Sequence, residues 1–369
     1  AIKSPFIDVK TLKNGLDALK KEDEPTLILT PDLNGVSVPA DYYGHYKITL
    51  DQCADLKDRF TLIDVHSGAE GDAVIKGFRE NIGTNNLNYG AAYYPWLEST
   101  LGYGYDESKI KTTVIIGTTP PVTDVMLKYD TSDLSVLAEP LATTPPVDKK
   151  TYYESRSLYH LDNGAYARIK AIIDSFRVTL PPSGAMAGIY TRTDNSRGVF
   201  KAPANVSVNS VVRPTVKISN EQQENLNVHP SGKSINVIRS FSDKGILVWG
   251  ARTLDGNSNE WRYIPVRRLF LFLEESISKA IENFVFEPNT QSTWVSVKGT
   301  IENFLTDQWQ AGALAGTSTQ QAFFVNVGLG VTMTAQDILE GRLIVDVGVA
   351  AVRPAEFIIL RFSHKLQEA

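Results

Sequence analysis

Residues 245–289 read GILVWGARTLDGNSNEWRYIPVRRLFLFLEESISKAIENFVFEPN, and their pattern decides the architecture. Ile246, Leu247, Val248 and Trp249 form an apolar run too short for a helix and bulky enough for a buried strand. A polar turn follows. Beyond it Val266, Leu269, Leu273, Ile277, Ile281 and Phe284 recur at steps of three and four, the spacing that puts apolar groups on one helix face. Pro265 suits the first helical turn, where its missing N–H would have had no intrahelical partner. The stretch predicts a strand, a turn and a buried helix.

The 369 residues around it exceed what a single core usually fills, so two domains are expected. A hydrophobic content of 42% and a charged content of 21% are those of an ordinary globular chain. Basic and acidic residues, 37 against 42, leave a formal charge of −5, without the basic surplus that nucleic acid or an anionic membrane surface would require. Neither is expected as a partner. Cys53 stands alone, which rules out an internal disulfide or a set of metal-holding thiolates and fits folding in a reducing cytoplasm. The opening AIKSPFIDVKTLKNG has neither the charged nor the apolar region of a secretory signal, and no apolar run is long enough to predict a membrane-spanning helix. No internal repeat is present.

Before this stretch, helix and strand alternate. Asp8 can cap a helix carrying Val9, Leu12, Leu16 and Leu19, and TLILT at 26–30 is a strand. Tyr43, Tyr46, Leu50, Cys53 and Leu56 mark a second helix, and FTLIDV at 60–65 a second buried strand. A short helix over 73–82 and a strand over 89–96 continue the series, which favours a parallel or mixed sheet with helices on its faces. Pro/Thr-rich segments bound an expected insertion at about 112–151, and a helix is expected over 152–176. Residues 181–208 read as loop with short strands, and 220–234 as an exposed polar connection. Further on, Trp294, Val297, Ile301, Leu305 and Trp309 predict a helix that Gly312 stops. AFFVNV at 322–327 is a strand, and 343–350 alternates at strand period. A turn at Arg353, Pro354 and Ala355 would lead into a last strand, EFIILRF at 356–362.

Candidate chemistry is thin. His66 in LIDVHSGAEGD follows a strand, where α/β active sites lie, with Asp64, Glu70 and Asp72 around it, but the set lacks metal-ligand spacing. A solvated loop whose acids cap the next helix is the plainer reading. No nucleophile elbow, phosphate loop or dinucleotide fingerprint occurs, and VGLGV at 327–331 reads as a turn. No cofactor or metal is expected. His45, His160, His229 and His364 are scattered, and Cys53 sits on an apolar helix face as a packing residue. Arg252, Arg262, Arg267 and Arg268, with Glu260, Glu274 and Glu275, form either a solvated face or the rim of a subunit contact. Residues 343–362 form an apolar, β-branched hairpin that is either buried at home or a site for strand addition.

Several long motifs together resemble the sheath proteins of contractile phage tails and related injection machines. They are KAPAN at 201–205, IRSFSDKGILVWGARTL at 238–254, EWRYIPVRRLFLFLEESI at 260–277, NFVFEPN at 283–289, WQAGALAG at 309–316 and VGVAAVRPAEFIILRFSH at 347–364. GLDALKKEDEPTLILTPD and LDQCADLKDRFTLIDV extend the resemblance back to about residue 15. It implies a subtilisin-like α/β region, expected over 1–235, and an α+β C-terminal sheath domain over 236–369 that ends in a β-hairpin arm. No Ser/His/Asp triad motif accompanies it, so no proteolysis and no enzyme activity is expected.

The resemblance also implies the partners: copies of itself in a six-fold helical sheath, an inner tube protein, and baseplate and terminator or cap proteins. It implies assembly in the bacterial cytoplasm and then a place in a phage tail or an extracellular phage-tail-like particle. Intersubunit strand exchange would fall on Leu343, Val345, Val347, Phe357, Ile359 and Arg361, and contacts with tube or neighbours on Arg252, Trp261, Arg267 and Arg268. Family members usually begin with an extended N-terminal arm, so an upstream portion is expected to be missing here. The alternatives are an α/β hydrolase using His66 and a ligand-binding module.

Overall fold

The computed structural model describes residues 8–115, 122–132, 134–137 and 147–357. The chain divides into two compact units, one of Ala1–Leu97 with Pro181–Ala369 and one of Glu98–Leu180.

The first unit opens with α1 (Val9–Leu19), and the Asp8 carboxylate accepts the Lys10 N–H at 3.0 Å. Then come β1 (Leu27–Ile28), α2 (Pro39–Leu56), β2 (Phe60–Asp64), α3 (Asp72–Asn81) and β3 (Gly90–Tyr94). The second unit holds most of β4 (Leu97–Gly102), then β5 (Lys111–Ile115), β6 (Val122–Met126), α4 (Lys149–Ser155), α5 (Leu158–Leu161), α6 (Asn163–Ser175) and β7 (Arg177–Leu180). Back in the first unit the chain forms α7 (Pro182–Arg197), β8 (Val206–Ser207), β9 (Val211–Pro214), α8 (Asn220–Asn227), β10 (Ile235–Phe241) and β11 (Gly245–Trp249). It continues through α9 (Ile264–Ile281), α10 (Gln291–Gln310), α11 (Thr319–Ala322), β12 (Phe323–Val327), α12 (Ala335–Leu339) and β13 (Val345–Val349).

The main sheet is mixed and runs β1-β2-β3-β10-β11-β8. β1, β2, β3 and β10 are parallel, and β11 and β8 follow antiparallel. Every residue of β2 and β3 is buried, as near-continuous apolar runs in a sheet covered on both faces should be. β10, which begins at the expected boundary of 235/236, lies against β3 with Ile235 opposite Ala92. The strand before the opening helix completes the first region's sheet.

Helix α9 then joins two cores. Ile264 and Leu271 pack into the cluster around the main sheet. Leu269 and Leu273, with Ile277, Ile281 and Phe284 at its edge, pack with Val297, Ile301 and Leu305 of α10 and Val325 of β12. Each such buried side chain contributes roughly 1.5–3 kcal/mol. The stripe legible in sequence is the α10-facing side, and the first half of α9 is buried on its other side too.

Three segments differ from expectation. Residues 182–197 are a helix, and Met186, Ile189, Tyr190 and Thr193 form its buried face. Their three–four spacing is hidden because Thr193 is polar and the intervening residues are small or charged. Residues 220–227 are also helical, started by a capping box in which the Ser219 hydroxyl accepts the Gln222 N–H and the Gln222 side-chain Oε1 accepts the Ser219 N–H. The single helix expected over 152–176 is three, because Asp162 ends α5 and caps α6 by accepting the Ala165 N–H at 2.9 Å.

The second unit, Glu98–Leu180, is wider than the insertion expected at 112–151. Its β5 and β6 pair antiparallel, β7 lies beside β4, and Val125, Leu127 and Leu158 form its small core.

Candidate functional site

The loop after β2 carries His66, and its groups are committed to structure. The His66 N–H donates to the Tyr43 hydroxyl at 2.9 Å, Nε2 lies 3.1 Å from the Val36 carbonyl and donates to it, and the ring edge packs on Tyr42. The turn needs glycine at 68, where φ is +58° and a Cβ would lie 2.1 Å from the Trp96 ring. Asp64 is fully buried, with Oδ1 accepting the Ser183 N–H at 2.8 Å. The Ser183 hydroxyl is buried too and has no partner. A hydrolase would need an exposed nucleophile hydrogen-bonded to a base, and His66 and Ser183 are placed for packing instead. Among the described residues no group of three or more His, Cys, Asp or Glu could hold a metal ion, and no helix is long and apolar enough to cross a membrane. Burial pushes the Cys53 thiol up to about 12, so it stays protonated and inert.

The arginines of the opening stretch turn inward. Arg252, Arg267 and Arg268 are all buried in their own chain. Arg267 is sandwiched between Tyr89 and Trp261, with ring centroids at 4.3 and 4.5 Å, and donates to the Tyr89 hydroxyl at 3.1 Å. Arg268 forms a bidentate pair with Asp194 at 2.9 and 2.6 Å and lies over Tyr190. Arg252 pairs with Glu356. Their partners lie far away in sequence: Tyr89 just before β3, Asp194 on α7 and Glu356 among the last described residues. Only Trp261, half-buried, keeps part of its surface open.

β13 pairs antiparallel with β12, Val345 opposite Val327 and Val349 opposite Phe323, and most of the strand expected over 356–362 lies outside the described residues. Phe324 lies over Gly348, whose missing Cβ would sit 2.2 Å from that ring. Residues 352–357 form no strand, and Ile359 and Arg361 lie outside the described residues. Among the described residues the β12–β13 sheet has no third strand, so none of them pairs along its outer edges. Leu343 and Val345 are half-buried, while Val347 and Phe357 are exposed. A two-stranded sheet beside a helical core can accept another strand by backbone hydrogen bonding.

Comparison with known proteins agrees with this architecture. Residues 139–254 match the phage tail sheath protein central domain and residues 257–365 the phage tail sheath C-terminal domain. The chain is similar over 98% of its length to the anti-feeding prophage helical sheath in its contracted state, at 34% identity and a TM-score of 0.62, covering 76% of that chain. Against the PVC sheath complex of an extracellular contractile injection system, also contracted, identity is 30% and the TM-score 0.67, over 97% of this chain and 75% of that one. The tail sheath protein of Vibrio phage KVP40 is 28% identical over 138 residues, 37% of this chain, and that of Salmonella phage ViI 26% identical over 156 residues, 42% of this chain. Those stretches span only 20% and 24% of the two phage proteins. The chain belongs to the phage tail sheath family, a family of structural proteins rather than enzymes.

Proposed function

We propose that the chain is the subunit of a contractile sheath, which polymerises helically with six-fold symmetry around an inner tube and shortens to drive that tube through a target envelope. The observation that carries this reading is the likeness to a contracted helical sheath over 98% of the chain at 34% identity. Copies of itself, the tube protein, baseplate and terminator or cap proteins are the proposed partners. Assembly in the bacterial cytoplasm and release in a phage tail or phage-tail-like particle follow from the same reading. The subtilisin-like description of the main sheet belongs here as well, supported by four parallel strands with helices between them. The C-terminal sheath domain is best begun near residue 257, where its family match starts beyond β11.

Strand exchange supplies the tether. Leu343, Val345 and Val347 on or beside the β13 edge would receive a neighbour's strand, and the segment with Phe357, Ile359 and Arg361 would be the arm that is donated. Backbone pairing survives large rigid-body shifts of the subunits because it requires only the strand and its register. Trp261 remains a candidate for contact with tube or neighbour. The test removes residues 358–369 and co-expresses the truncated chain with its tube and baseplate. The isolated subunit should melt as the parent does, while negative-stain images should lack long sheaths. Extended sheaths of normal length and number would overturn the tether.

A further inference from the structure

The end of the described chain is fastened twice. Just after β13 it zips onto the segment following α10, with the Ala315 N–H donating to the Ala350 carbonyl at 2.7 Å and the Val352 N–H to the Ala313 carbonyl at 3.2 Å. Four residues later, Glu356 enters a polar socket built from three separate elements. Its Oε1 accepts from Asn227 Nδ2, at the end of α8, and from Arg252 Nε, both at 2.8 Å. Oε2 accepts from Arg252 Nη2 at 2.6 Å and from the hydroxyl of Tyr263, the residue before α9, at 3.1 Å.

Arg252 is itself fixed at both ends. Its backbone N–H donates to Asn236 Oδ1 at 2.8 Å, and its Nη1 donates to the Gly256 carbonyl at 2.8 Å. The two charged side chains are 5% and 16% exposed, whereas the next residue, Phe357, is 67% exposed. The chain passes from a clamped residue to a free one in a single step.

A buried ion pair is a poor source of net stability, since an apolar pair of similar volume does as well. What it supplies is direction, because a bidentate guanidinium accepts a carboxylate in one plane only. Burial raises the Glu356 carboxyl, but hydrogen bonds from Arg252 and Asn227 outweigh it and hold the group below the usual carboxylate range, so it stays charged at neutral pH. A pull on the chain beyond Phe357 reaches this socket before it reaches β13. Without the socket, the same pull would peel the short ladder of β13 one hydrogen bond at a time.

We infer that Glu356, held by Arg252, Tyr263 and Asn227, is the root clasp of the C-terminal segment: it fixes the point and direction at which the chain leaves the body and takes the tension on a segment exchanged with a neighbouring copy. This rests on the strand-exchange reading, and Glu356 is a positioning residue within it.

The experiment compares Glu356→Ala with the 358–369 deletion, each made in the full chain and co-expressed with tube and baseplate. Sheaths are counted by negative stain, and amide hydrogen exchange is followed in the isolated subunit and the assembly. Glu356→Ala should cut the number of full-length sheaths about tenfold or more and speed exchange at Ala350 and Val352 by a similar factor, with β10 amides unchanged. Faster exchange throughout β10 would show a merely structural role and overturn the positioning claim. Should Glu356→Ala not yield folded protein, Glu356→Gln, which keeps the side-chain length and removes the charge, is held to the same outcomes. If the deletion blocks assembly and neither substitution does, the clasp is overturned while strand exchange stands. Normal sheaths from the deletion would overturn both.

Discussion

Arg268→Ala is expected to destabilise the isolated subunit by about 3 kcal/mol in urea unfolding, because it strands a partly buried carboxylate. Arg268 is 9% exposed at its side chain and Asp194 21%, and their two parallel hydrogen bonds leave neither charge unpaired. The pair fastens α9 to α7, and the guanidinium also covers the face of Tyr190 at 4.6 Å. Truncation removes the cation, the stack and the packing of the stem together. Asp194→Ala alone should cost a similar amount, since it leaves the cation without its partner. The double variant Arg268→Met with Asp194→Leu should fall within about 1–2 kcal/mol of the parent, because it removes both charges and keeps the volume. Additive costs in that cycle would mean that the two groups do not act as a pair.

This inward-facing pair marks where sequence reasoning stops. Helices α2, α9 and α10 are legible because enough of their buried positions are apolar and recur at helical spacing, as with Val297, Ile301 and Leu305. Helix α7 meets the same spacing with Met186, Ile189, Tyr190 and Thr193, but a buried threonine and two glycines hide it. Helix α8 has almost no apolar content and is betrayed only by the Ser219–Gln222 box, a signal present in the sequence and easily passed over. Period also locates β13 but says nothing of its partner. Phe323–Val327 pairs with it from across the intervening residues. Charge is the least legible property. Arg252, Arg267 and Arg268 look like a solvated face until Glu356, Tyr89 and Asp194 arrive from elsewhere in the chain to neutralise or cover them. The family was legible where single residues were not, because its motifs run through most of the chain.

Asp64→Asn should stabilise the subunit above neutral pH and leave it unchanged near pH 4. The Asp64 carboxyl ends β2 inside the core, with Oδ1 taking the Ser183 N–H at the start of α7 and Oδ2 unpartnered. The groups facing it are Tyr42 and Tyr46 of α2 and Ser183 of α7, with Tyr43 and His66 packed beside Tyr42. Burial drives the three tyrosine hydroxyls well above their ordinary value, so none supplies a countercharge. Burial likewise raises Asp64 from 3.8 to about 7, and the hydrogen bond from the Ser183 N–H offsets only part of that rise. The folded state therefore holds its proton more tightly than the unfolded state. The resulting stability is fully present below 3.8 and is lost as pH rises through about 7. At pH 8 the folded parent carries an uncompensated carboxylate at a cost of a few kcal/mol, about 1.4 for each pH unit of displacement. Asparagine does not titrate, its carbonyl can keep the Ser183 N–H, and its amide can donate to the otherwise unpartnered Ser183 hydroxyl. Melting curves of both proteins from pH 4 to pH 8.5 should coincide at the acid end and separate by several degrees at the alkaline end. A gap that stays constant across the range would show that packing, and not titration of Asp64, makes the difference.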